Sequence, residues 1–139
     1  MNAEMVGEFY GQLSKDTLHR LPEIYHSQVV FVDAAHRIEG LTSLISYFES
    51  LYQNVQRCEF TIHEQHQFEQ NAFLVWTMHL QHPKLANGRV VNVHGTSQLR
   101  FQDDKIIYHR DYFDLGEMLY EQLPILGKII RAVKRRLGQ

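Results

Sequence analysis

A single cysteine and three prolines in 139 residues close off several classes of protein before any motif is read. Cys58 alone can build neither an intramolecular disulfide framework nor a thiolate zinc cluster, and it fits a reducing compartment. No apolar run approaches the roughly 20 residues of a spanning helix. The opening Met1-Asn2-Ala3-Glu4-Met5 also lacks the basic stretch of a signal peptide, so a soluble, cytoplasmic protein is the expectation. A net charge of only −2 excludes a chain-wide nucleic-acid surface, and no nucleic-acid partner is expected. Glycine-rich phosphate loops and a His-Glu-x-x-His helix are both missing. The His63/His66 and His79/His82 pairs are three apart, which on strands puts the members on opposite faces, so neither a metal nor a cofactor is expected. What is present is ordinary: 44% apolar and 22% charged residues exclude disorder. A chain of this length can bury roughly 70% of its extended surface. One domain spanning residues 1–139 follows.

The period of the apolar residues changes along the chain. Met5, Val6, Phe9, Tyr10 and Leu13 mark one face of a first helix. Asp16 is placed to cap a second helix carrying Leu18, Leu21, Ile24 and Tyr25. Val29 to Asp33 is β-branched and aromatic, hence a strand, and after Gly40 a third helix runs from Leu41 to Tyr52. From Arg57 the period is two. Four long strands follow, with turns at Ala86-Asn87-Gly88 and Asp103-Asp104. Three helices before four consecutive strands predict an α+β fold, a strongly curved antiparallel sheet with the N-terminal helices on one face.

The run Ile106-Ile107-Tyr108-His109-Arg110-Asp111-Tyr112-Phe113-Asp114-Leu115 resembles the last strand of the nuclear-transport-factor-two-like superfamily, especially its SnoaL-like and limonene-epoxide-hydrolase-like branches. The order of elements is similar over most of the chain. The resemblance implies a cone-shaped, cystatin-like α+β barrel with a deep pocket, and a homodimer through the outer sheet face. It implies that Asp111 is the pocket carboxylate of the last strand and that Asp33 stands where related ketosteroid isomerases hold their base. The arginine–aspartate pair of the epoxide hydrolases falls on His79 and Gln81, and the helix-one tyrosine of the isomerases on Phe9.

Strand parity then assigns the pocket walls. With Asp111 facing inward, Ile107, His109 and Phe113 do too. The family's inward set on the middle strand is Val75, Thr77, His79 and Gln81, and on the next strand it includes Val93 and Gly95. Leu74, Trp76, Met78 and Leu80 are thereby predicted to face outward as the dimer surface. The catalytic candidates are Asp111, Asp33 and His79. The ligand-contact candidates are Phe31, Val75, Thr77, Gln81, Val93, Gly95, His109 and Phe113. A carboxylate desolvated among apolar walls beside an imidazole suits proton transfer. The expected function is therefore a cofactor-independent isomerase, cyclase or hydratase/hydrolase acting on a small apolar molecule. The alternative is a non-catalytic ligand sensor or dimeric scaffold, in which Asp111 satisfies buried donors and Asp33 caps the turn before Ala34-Ala35.

The last helix, Leu126 to Leu137, is basic. Nine of the fourteen lysines and arginines and all sixteen acids precede Pro124, giving a body near −7 and a +5 helix. It is expected to cover the mouth of the cone and pair with the acidic body rather than to contact a membrane.

Overall fold

The computed structural model describes residues 1–138. Asn2 caps α1 (Ala3–Gly11) by accepting from the Met5 N–H, and Val6, Phe9 and Tyr10 form its buried face. Ser14, rather than Asp16, caps the next stretch: with Thr17 it makes a reciprocal capping box over the 3-10 segment Lys15–Arg20. That segment runs into α2 (Leu21–Ile24), where Pro22 sits in the first turn and loses no helical hydrogen bond. β1 (Tyr25–Val32) and the short β2 (Arg37–Glu39) form a hairpin. Gly40, at a φ of +89°, turns the chain into α3 (Leu41–Asn54). β3 (Arg57–Phe68), β4 (Asn71–Gln81), β5 (Val90–Gln102) and β6 (Lys105–Phe113) are the long strands. Asp103 and Asp104, both at positive φ, make the tight turn between the last two. α4 (Leu115–Met118), a 3-10 turn (Tyr120–Gln122) and α5 (Pro124–Leu137) complete the chain.

The fold is α+β, with one curved six-stranded sheet in the order β2-β1-β6-β5-β4-β3. β3 to β6 form the antiparallel meander that the period-two pattern predicts. β1, arriving from the helices, joins β6 in parallel, so the sheet is mixed, and it stays open between β2 and β3. α1 packs on β3 and β4, while α3 packs on β1 and β2.

The parity expected for β4 is inverted. Leu74, Trp76 and Leu80 are buried inside the cone beside Met78; Trp76, Met78 and Leu80 pair with Ile62, Phe60 and Cys58 of β3 and with Gly95, Val93 and Val91 of β5. Val75, Thr77, His79 and Gln81 therefore lie on the outer face. The physical reason is simple: the face with a tryptophan, a methionine and two leucines loses most by meeting water. The apolar stripe that motivated a homodimer does not exist on the outside. There, polar rows cross the strands instead: Thr61–His79–Asn92 with contacts of 2.8 Å, and His63–Thr77–His94 at 2.7 and 3.1 Å. A bulge at Ile107 likewise puts Ile106, not Ile107, into the core.

Gly95 is the glycine on which the inner packing turns. The Trp76 ring lies across it, and a Cβ there would overlap the indole. Gly95→Ala should therefore displace the ring and lower the unfolding free energy by about 1–3 kcal/mol in denaturant titrations. Unchanged stability would show that the indole is free to move.

Candidate functional site

Inside the cone, β4, β5, β6, β1 and α1 bring six polar side chains into one hydrogen-bond chain. The Trp76 indole can only donate, so Ser97 Oγ accepts from Nε1 at 2.9 Å and directs its own proton to Asp111 Oδ1 at 2.5 Å. His109 Nε2 meets the same carboxylate oxygen at 2.6 Å. With Nε2–H donating to the carboxylate, Nδ1 accepts from the Tyr25 hydroxyl at 2.7 Å, and Tyr25 in turn accepts from Tyr10. His109 is fully buried in a box of aromatic rings, with the Phe31 centroid 4.8 Å away. Asp111 Oδ1 is thus clamped from two sides. Oδ2 has no protein partner among the described residues, and it is not sealed off.

Asp111 belongs to the wall of a cavity of about 250 Å³. The rest of the wall is largely apolar and aromatic: Phe31, Phe48, Phe60, Trp76, Met78 and Phe113 supply much of it, and Met118 of α4 reaches it as well. Asp33 is also there but is fully engaged. Its Oδ1 accepts from the Ala35 and His36 N–H groups at 2.8 and 2.7 Å, and its Oδ2 accepts from the Tyr47 hydroxyl at 2.6 Å. It holds the loop between β1 and β2, the turn-capping role anticipated as the alternative.

Of the residues chosen from sequence, Asp111, Asp33, Phe31 and Phe113 line the cavity. His109 stands behind Asp111 and positions it. Val93 is on the inner face but fully buried, and Gly95 is covered by Trp76. His79, Val75, Thr77 and Gln81 are excluded by the inverted parity. Sequence reasoning missed Ser97, Tyr25 and Tyr10 as a network. Next to Phe9, Tyr10 is a lining residue of the cavity. The plain alternation of Cys58, Phe60 and Ile62 with polar residues was the signal for the inner face, since these side chains pair with Leu80, Met78 and Trp76.

The chain matches the family model of the SnoaL-like domain over residues 6–109. Its structure is similar to that of a protein with a ketosteroid isomerase-like fold from Catenulispora acidiphila in complex with trimethylamine (TM-score 0.72, 15% identity, covering 89% of this chain and 96% of that one). It is also similar to an LEH-like epoxide hydrolase of M. tuberculosis (TM-score 0.70, 20% identity, 84% of each chain). A SnoaL-like polyketide cyclase, so described provisionally, from Shewanella putrefaciens gives a TM-score of 0.69 at 17% identity, over 83% of this chain and 90% of that one. No curated protein matches the sequence. At these identities the structural likeness establishes the fold.

The buried phenols and thiol make the site sensitive to alkali. Burial holds Tyr10 and Tyr25 well above the ordinary tyrosine value of 10, and it pushes Cys58 up to about 11 from an ordinary 9. The folded protein therefore keeps protons that the unfolded chain gives up, and stability falls as pH rises. The Cys58 contribution is intact below pH 9 and lost through about 11, and the tyrosine contributions decline from 10 upward. Denaturation midpoints should drop steadily across that range, and Cys58 should resist alkylation at neutral pH until the protein is unfolded. A midpoint that is flat or rising with alkali would contradict the burial of these groups.

Proposed function

The chain belongs to the SnoaL-like domain family, and from that premise we propose that it binds one small apolar molecule in the cone and moves a proton on it without a cofactor. The observation that carries this reading is Asp111: it lines an apolar cavity, with one oxygen fixed by Ser97 and His109 and the other without a protein partner among the described residues. A carboxylate held this way is oriented before the ligand arrives and does not need to give up a protein partner to act as a base. Oδ2 takes a proton from an acidic carbon or hydroxyl of the ligand and returns it elsewhere on the same molecule. Both donors to Oδ1 stay in place throughout. An isomerisation or ring closure of this kind balances without any outside group.

The cavity limits the substrate. An engineered cavity of about 150 Å³ accepts benzene, so about 250 Å³ suits a compact molecule of one or two rings. The epoxide-hydrolysis variant of the reading is the weaker one. β4 offers Trp76, Met78 and Leu80 to the cavity, and at neither parity does it supply the arginine–aspartate pair with which the resembled hydrolases activate water.

The test starts from a thermal-shift panel of small terpenoids and monocyclic or bicyclic polyketide-like compounds, followed by turnover assays on the binders. Asp111→Asn keeps the shape and removes the base. It should lower turnover by roughly 10²–10⁴ while leaving affinity much less affected. Tight binding with no conversion by the wild-type protein would instead support the ligand-sensing module. Full turnover by the variant would remove Asp111 from the chemistry.

A further inference from the structure

α5 pairs with the acidic body as its charge predicts, through Lys134 to Asp114 and Glu121, but it does not cover the cavity. It lines no part of the cavity, and it packs chiefly on the Tyr120–Gln122 turn, where Gly127 sits against the Glu121 carbonyl. Arg131 donates to that carbonyl at 2.5 Å, and Lys134 reaches the Glu121 carboxylate at 3.2 Å. The opposite side of the helix touches nothing that buries it. Ile125, Ile129 and Val133, spaced four apart, are 77%, 55% and 52% exposed, and Leu137 is 82% exposed. Leu126 adjoins them, also exposed. Among the described residues Lys128, Arg135 and Arg136 make no ion pair.

We infer that α5 docks on an anionic membrane surface, lying in the headgroup plane with Ile125, Ile129, Val133 and Leu137 in the acyl boundary. Two features of the helix select this occupant together. Its five cations face no acid of their own helix, and of them only Lys134 pairs with the acids that precede it, which leaves Lys128, Arg135 and Arg136 on the outer side without an ion pair among the described residues. Its apolar stripe requires a partner without water. A second α5 would bring five more cations alongside, and a nucleic acid would leave the stripe uncovered. A layer of anionic headgroups above hydrocarbon matches both halves. Arg136 shares the apolar side near its last turn, and its long stem lets the guanidinium rise to the phosphates. The helix has 14 residues, and no helix among the described residues is long and apolar enough to cross a membrane, so the contact is peripheral. α4, whose Met118 lines the cavity, leads directly through the Tyr120–Gln122 turn to α5, so docking sets the cavity wall close to the bilayer.

The experiment is flotation of the full chain with phosphatidylcholine vesicles containing about one-third phosphatidylserine, and with phosphatidylcholine alone, at low salt and at about 0.5 M. Two double variants accompany it: Ile129→Glu with Val133→Glu, and Lys128→Glu with Arg135→Glu. All four side chains are exposed, so the melting temperature serves as the folding control and should be unchanged. The wild type should float with anionic vesicles at low salt and lose most binding at high salt or on neutral vesicles. Each double variant should lower the bound fraction by at least about tenfold. Absence of flotation at low salt, or flotation unaffected by the apolar pair, would overturn the inference. So would self-association that the apolar variant abolishes in a protein that never binds vesicles, which would give this face to a second copy.

Discussion

Trp76, Ser97, Asp111, His109, Tyr25 and Tyr10 are joined by one unbroken line of hydrogen bonds through the inside of the sheet, and the placement of much of the domain follows from it. Buried polar groups are costly unless each finds a partner, and no buried side-chain nitrogen or oxygen among the described residues lacks one. For the indole to reach Ser97, Trp76 must face inward, which sets the parity of β4. For the ring to fit, β5 must carry a glycine beside it, and Gly95 does. For Tyr25 to reach His109, the first residue of β1 must lie against β6, which the parallel pairing provides. Each member acts on the next, so the network specifies one arrangement of α1, β1, β4, β5 and β6 rather than several.

Much of this was legible in the residues. Period-two runs from Arg57 onward located four strands, and the Asp103-Asp104 and Ala86-Asn87-Gly88 turns fell at positive φ as their composition requires. Asp111 was visible because it stands in a distinctive run. On the middle strand the family position conflicts with hydrophobicity, and hydrophobicity wins: His79 and Gln81 inside would put Trp76 and two leucines in water. Ser97, Tyr25 and Tyr10 were not recognisable as partners, because their connection spans four elements and rests on side-chain reach that no local pattern encodes. Asp33 shows the opposite case. Its local sequence, an aspartate before two alanines, described its turn-holding role correctly.

The molecule separates two kinds of surface. Its interior offers an apolar chamber with one carboxylate oxygen that no protein group shares among the described residues, inside a body of net charge near −7. The five cations of α5 have no acid on their own helix to balance them, and they lie on a helix that lines no part of the cavity. No α5 residue takes part in the hydrogen-bond network around Asp111. The shape of the fold alone carries no activity. Here the inner face of β4 is apolar throughout, and Asp111 is held by Ser97 of β5 and His109 of its own strand.

The tautomer of His109 tests this account most directly, because the clamp on Asp111 requires a proton on Nε2. Long-range proton–nitrogen correlation spectra of the histidine-labelled protein at neutral pH should show His109 Nε2 protonated and Nδ1 in the acceptor range, with Tyr25→Phe shifting the Nδ1 resonance. A bare Nε2 with the proton on Nδ1 would contradict it, for the ring could then neither donate to Asp111 nor accept from Tyr25.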